Sequence, residues 1–165
     1  MTNGKHISLF AGVGMTDLAA EIFGFETVAL AELELFNRQV LAQRFPSAMI
    51  FSDVRDVRRS HRALFNKVCD TPLLISGGFP CQDISLSGHG AGLDGERSGL
   101  WREFARIIEE FQPEYVLIEN VAALRGRGLD RVLRDLASMA YEARWDCIPA
   151  AAVGAPHMRD RMFIV

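Results

Sequence analysis

Short apolar runs that end in glycine or an acid alternate along this chain with stretches of helical period, and that alternation leaves few folds open. His6 to Phe10 reads as a strand, ended by Ala11-Gly-Val-Gly14. The spacing predicts a helix from Met15 to Phe23, with Leu18, Ala19 and Ile22 on its apolar face and Gly24 closing it. Thr27 to Ala31 is a second strand, ending at Glu32. Phe36, Val40 and Leu41 mark a second helix, which stops at Phe45 before Pro46. Met49 to Phe51 is a third strand, ending at Asp53, and Arg55 to Asn66 reads as a polar helix or loop. Leu73 to Ile75 is a short buried strand. Leu100 to Phe111 is a helix that Ser98 can cap, striped by Phe104, Ile107, Ile108 and Phe111. Tyr115 to Ile118 is a strand ending at Glu119-Asn120, and Leu129 to Ala140 an amphipathic helix through Val132, Leu133, Leu136 and Met139. Glu142 to Ile148 reads as a sixth strand, and Met162 to Val165 as the start of a last one, left as an unpaired edge. Such alternation predicts one α/β domain over residues 1–165, a doubly wound and mostly parallel Rossmann-like sheet, truncated at the last strand.

Within that fold, Leu73-Leu-Ile-Ser-Gly-Gly-Phe-Pro-Cys-Gln82 is the centre of interest. Pro80 has a fixed φ and pushes Phe79 towards an extended conformation, so Cys81 is held stiffly at the carboxyl end of a strand. Open α/β sheets bind ligands at that rim. A small buried thiol beside a turn is the commoner fate of a free cysteine, and a nucleophile is the sharper reading. Residues 82–99 carry five glycines and no periodicity, which reads as a lid placed directly after Cys81.

The turn Phe10-Ala11-Gly12-Val13-Gly14 stands where a Rossmann-type sheet cradles a nucleotide. Position 17, where the dinucleotide fingerprint has its third glycine, holds Asp17, which argues against a pyrophosphate ligand. Glu32 closes the second strand where an acid accepts from ribose hydroxyls, and Asp53 closes the third where it can accept from an adenine amino group. These features fit an adenosine without a diphosphate, such as S-adenosylmethionine. They also fit a glycine turn flanked by two solvated acids. Glu119 would share the rim with Cys81 and act as a general acid. Arg159 and Arg161 alternate in Gly154-Ala-Pro-His-Met-Arg-Asp-Arg161, so in an extended segment they face the same way, either aimed at the rim to hold a base oxygen or phosphates or as an ordinary exposed pair.

Charge and cysteine usage narrow the field. The net charge is -3 over 165 residues, against a protein that grips a nucleic-acid backbone unaided. Apart from Lys5 and Lys67 the cations are arginines, which suit bidentate contacts. The spacing of Cys69, Cys81 and Cys147 fits neither a zinc site nor a disulfide framework, so no metal is expected. No apolar run is long enough to span a bilayer, and with no leader ahead of the first strand the cytoplasm is the expected compartment.

In combination these residues resemble the DNA (cytosine-5)-methyltransferases. Ser8-Leu-Phe-Ala-Gly-Val-Gly14 is similar to that family's cofactor loop, and Gly78-Phe-Pro-Cys-Gln82 to its nucleophile motif. Glu119-Asn120-Val121 resembles the motif whose glutamate contacts the target cytosine, and Gly154 to Arg161 the arginine motif. Departures are Ser8 where many members have Asp, Met15 where glycine is common and His157 where glutamine is common. The resemblance implies that Cys81, Glu119, Arg159 and Arg161 are catalytic, and that Leu33 and Pro80 join Phe10, Ala11, Gly12, Val13, Gly14, Glu32 and Asp53 around S-adenosylmethionine. It further implies a double-stranded DNA substrate flipped at one base, with Gln82, Ser85 and Ser87 on phosphates, in a restriction–modification setting. Members of the family also carry a target-recognition region and a closing motif. Neither is recognised here, which leads to the expectation of a complementing chain and of no sequence-specific methylation by these residues alone. Two rival readings are a cofactor-binding or partner-binding module without turnover, and a cysteine hydrolase using Cys81, a histidine and Asn120.

Overall fold

The structure, a computed structural model, describes residues 3–61, 71–80 and 99–165. The expected lid, Cys81 and most of the polar stretch after His61 lie outside the described residues. Strands β1 (Gly4–Leu9), β2 (Phe25–Ala31), β3 (Met49–Phe51), β4 (Leu73–Gly77), β5 (Tyr115–Val121), β6 (Trp145–Pro149) and β7 (Asp160–Ile164) form one sheet in the order β3-β2-β1-β4-β5-β7-β6. The first five are parallel, with β7 antiparallel between β5 and β6. The expected doubly wound sheet is therefore present, and the order reverses direction between β1 and β4. At such a switch point the loops leaving two neighbouring strands diverge and open a crevice.

Helices α1 (Met15–Ile22), α2 (Leu35–Arg44), α3 (Gly99–Phe111), α4 (Leu124–Arg127) and α5 (Leu129–Ser138) connect the strands. The stripe foreseen on α3 is the heart of the core: Phe104, Ile107, Ile108 and Phe111 are fully buried, joined by Trp101. Burying each such side chain is worth roughly 1.5–3 kcal/mol, which is why the parallel strands can be short. Val132 and Leu136 anchor α5 in the same core, and the Trp101 indole N–H donates to Asp135 at 2.8 Å, tying α3 to α5.

Three expectations need correction. The last strand is not an open edge: β7 is paired on both sides, Glu119 with Phe163 and Cys147 with Met162, because the chain turns back between β6 and β7. As far as His61 the segment after Asp53 forms two 3-10 turns, Val54–Asp56 and Arg59–His61, the first capped by the Asp53 side chain, and the remainder of the expected Arg55 to Asn66 stretch lies outside the described residues. Helix α1 is rotated away from its expected apolar face. It buries Asp17 and Ala20, whereas Ile22 is 83% exposed and Leu18 36%. The strand residues beneath it explain the rotation, since period two brings His6, Ser8 and Thr27 to that face, a polar surface that offers an apolar helix face nothing to pack on. Likewise α2 buries only Leu41, leaving Phe36 71% exposed.

Candidate active site

The turn after β1 is shaped by its backbone. Phe10, Gly12 and Gly14 all have positive φ, at 57°, 57° and 86°. For a bulky residue such as Phe10 this conformation costs about 1–3 kcal/mol and persists only where neighbours enforce it. Here the Ala11 N–H donates to Ala31 O at 3.1 Å, and the Phe10 ring stacks on Phe104 at 6.4 Å between centroids. Gly14 has no alternative, because a Cβ there would come within 2.7 Å of the Phe45 ring. Around Gly12, by contrast, no atom of another described residue, its chain neighbours aside, lies within 4 Å of a Cβ position, so the turn is open on this side.

Glu32 borders that space and is 8% exposed. Its Oε2 accepts from Gly12 N–H at 2.7 Å, and its Oε1 accepts from Glu34 N–H at 2.8 Å and Asn37 Nδ2 at 3.3 Å. A carboxylate has about four acceptor positions, so capacity remains for a hydroxyl of a ligand. The acid foreseen as a ribose partner thus also locks the glycine turn. Leu33 follows, 70% exposed, with its carbonyl and that of Glu32 held by Arg38. Arg44 donates to Val13 O at 2.6 Å. Asn37, Arg38 and Arg44 escaped sequence reading because their roles depend on α2 lying beside the turn, which no spacing reveals. Asp53 is engaged by Arg55 through both carboxyl oxygens, at 2.7 to 3.1 Å, and the Arg55 guanidinium holds its carboxyl below the ordinary range. An open turn, a buried carboxylate with spare acceptor capacity and an exposed Leu33 fit an adenosine.

On the other side of the switch point, β4 and β5 are adjacent, with Gly77 beside Ile118. Phe79 is buried and Pro80 exposed, and the described residues stop there on this side. Asn120 lies on the same rim: it is 4% exposed and its Nδ2 donates to Phe79 O at 3.0 Å, pinning the turn that leads into Cys81. Glu119 lies within β5 rather than after it, and Arg161 Nε donates to its Oε1 at 2.7 Å. A Cβ on Gly78 would stand 2.9 Å from Glu119 Oε2, so glycine at this place makes room for the carboxylate. Arg161 and Glu119 are brought together because β7 runs antiparallel to β5, Val121 facing Arg161. Arg159, one residue before β7, is exposed. Cys81, Gln82, Ser85 and Ser87 lie outside the described residues. No group of metal-ligating side chains is found among the described residues. A cavity of about 600 Å³ lies at the opposite end of β5, between Tyr115, Leu136, Tyr141 and Ile164, remote from this rim.

The model of the C-5 cytosine-specific DNA methylase family matches residues 4–165. The chain is 31% identical over 169 residues to the Type II methyltransferase M2.BsuMI of Bacillus subtilis, covering 98% of this chain and 41% of that protein. With the Type II methyltransferase M.AquIA of Picosynechococcus sp. it shares 29% identity over 177 residues, covering 98% of this chain and 71% of the other. The methyltransferase EhMeth of Entamoeba histolytica has the same fold, with a TM-score of 0.80 over 99% of this chain and 52% of that one at 15% identity. Except for the shorter M.AquIA, these relatives are about twice as long as the chain.

Proposed function

Since the chain belongs to the C-5 cytosine-specific DNA methylases, we propose that it carries the cofactor and covalent steps of methyl transfer from S-adenosylmethionine to C5 of cytosine in DNA. The observation that supports this most directly is the Glu119–Arg161 pair, held against Gly78 on the rim from which the chain runs to Cys81. The turn Phe10–Gly14, with Glu32, Leu33, Asp53 and Pro80, holds the cofactor, which supplies an electrophilic methyl group when bound.

The protein's own residues do the rest. Cytosine C6 is a weak electrophile inside a stacked duplex, so the base is flipped out first. Arg161 and Arg159 orient it. Glu119, protonated in the substrate complex, gives its proton to N3 as the Cys81 thiolate forms a bond to C6. The electron pair moves towards C5, which becomes nucleophilic. In the structure the Glu119 carboxylate accepts from Arg161, so a proton must reach it, or Arg161 must turn to the base, when cytosine enters. After C5 is methylated a base removes its proton, the electron pair expels Cys81 as thiolate, and the N3 proton returns to Glu119, which leaves neutral 5-methylcytosine. Gln82, Ser85 and Ser87 contact phosphates. Cytoplasmic DNA is the expected substrate. No helix among the described residues is long and apolar enough to cross a membrane.

Removing Glu32 should be felt first at the cofactor. Glu32→Ala is expected to weaken S-adenosylmethionine binding by ~1–3 kcal/mol, the range for a lost charge-assisted hydrogen bond and an unpartnered Gly12 N–H. Titration calorimetry decides it, with thermal melting to show that the variant is folded. Equal affinities would reduce Glu32 to a purely structural lock.

With a net charge of -3 these residues lack a backbone grip, so they are expected not to methylate a defined sequence by themselves. Incorporation of labelled methyl into duplex DNA tests the whole reading. It is run with the 165 residues alone, then with a target-recognition region supplied in trans or fused. Sequence-specific transfer only in the second case is the expected result. Efficient specific labelling by these residues alone contradicts the need for a partner, whether a complementing chain or a fused region. Cofactor binding without transfer in both cases would instead favour a binding module.

A further inference from the structure

The mechanism leaves one buried cluster unused. Beneath α1, on the sheet face it covers, His6 of β1 and Asp17 of α1 are both completely buried, with Asp17 Oδ1 3.8 Å from His6 Nδ1. His6 Nδ1 is 3.2 Å from the Thr27 hydroxyl on β2, and its Nε2 is 2.7 Å from the Ser76 hydroxyl on β4. Neither Asp17 oxygen has a hydrogen-bond partner of good geometry among the described residues. A helix that turns a carboxyl group inward and leaves Ile22 and Leu18 outward does so against its apolar pattern. The contact lies in a consequential place. Asp17 is in the first turn of α1, whose N-cap is Gly14, and Ser76 precedes the Gly77-Gly78-Phe79-Pro80 turn on β4.

We propose that Asp17 and His6 are positioning residues: their buried contact sets how the first turn of α1 sits on β1, and so holds the Gly12–Gly14 turn in its cofactor-binding form. The proposal rests on the reading of that turn as the S-adenosylmethionine site. A buried carboxyl group whose oxygens lack well-formed hydrogen bonds is tolerable when neutral and costly when charged. Burial pushes Asp17 up to about 6, opposed by the Ser8 hydroxyl, while burial pushes His6 down to about 4. The charged or titratable groups facing Asp17 are His6 from β1 and Glu21 from its own helix, and Glu21 raises it further. Among the described residues, β2 and β4 contribute the hydroxyls of Thr27 and Ser76 to the cluster. The sign follows. Between about pH 4 and 6 both groups are neutral in the folded state, and as pH rises through about 6 Asp17 acquires a buried charge. The first turn of α1 is the part able to move and hydrate that charge, so the glycine turn loosens on the alkaline side.

Two measurements test this. By calorimetry, S-adenosylmethionine affinity should fall about fivefold or more from about pH 5 to about pH 8, a modest coupling. Asp17→Asn, of the same shape but without the charge, should keep the low-pH affinity and flatten the profile, whereas Asp17→Ala should be weaker at every pH. Amide exchange at Gly12, Gly14 and Met15, with no cofactor present, should quicken beyond intrinsic chemistry above about pH 6 in the wild type and not in Asp17→Asn. An exchange profile that Asp17→Asn leaves unchanged overturns the proposal. A pH-dependent turn with no S-adenosylmethionine binding at any pH leaves the device standing and refutes the cofactor assignment instead.

Discussion

Cys81→Ser abolishes methyl transfer, by at least ~10³-fold, the scale on which removal of a nucleophile is felt. Serine is close to cysteine in size, so the sheet and the Glu32 side of the site should be undisturbed. What changes is the reacting atom: a hydroxyl is almost entirely protonated at neutral pH and adds poorly to C6, whereas a thiol yields a nucleophilic thiolate. The turn has the stiffness this role needs, since Phe79 is buried and its carbonyl is pinned by Asn120 at 3.0 Å. Duplex DNA bearing 5-fluorocytosine gives the direct readout. Fluorine at C5 cannot leave as a proton does, so the adduct accumulates and survives denaturation. Trapping by the wild type and not by Cys81→Ser is expected, with S-adenosylmethionine affinity equal in the two. A Cys81→Ser protein that is still trapped would place the nucleophile elsewhere.

Glu119→Gln lowers kcat by ~10²–10⁴-fold, the usual contribution of a positioned general acid. Glutamine keeps the shape that Gly78 accommodates, where a Cβ would stand only 2.9 Å from the carboxylate. It cannot deliver a proton to N3, and it exchanges the 2.7 Å ion pair with Arg161 for a neutral contact. Single-turnover kinetics separate these effects from binding, since cofactor affinity should not change. Arg161→Ala serves as the companion variant and should lower kcat as well, by freeing both the base and Glu119. Activity of Glu119→Gln within about tenfold of wild type would remove Glu119 from the proton transfer and leave it as an anchor for Arg161.

Much of the candidate site was legible because its parts are local. A strand that ends in glycines or an acid brings those residues to the carboxyl rim whatever the rest of the chain does, and Phe10 to Gly14, Glu32 and Asp53 follow the ends of β1, β2 and β3, while Glu119 lies within the last residues of β5 near the same rim. The stripe on α3 was equally readable, since a helix of 3.6-residue period leaves Phe104, Ile107, Ile108 and Phe111 one face to share. The partners that hold the site were not readable. Arg44 reaches Val13 across 31 residues and Asn120 reaches Phe79 across 41, contacts that exist only once helices and strands have docked.

The doubly wound class, and the rim to which the candidate residues come, could be read from the amino-acid sequence, because alternation and periodicity act over a few residues at a time. Tertiary structure alone decided the rest. It inserted β7 antiparallel between β5 and β6, which is what seats Arg161 on Glu119 and turns an expected open edge into an interior strand. It also turned α1 so that Asp17, not Leu18 or Ile22, faces the sheet. A helix has only its own pattern to propose a buried face, and the surface beneath it chooses. Here that surface is His6, Ser8 and Thr27, contributed by two strands on either side of the helix in the chain, and it selected the carboxyl group.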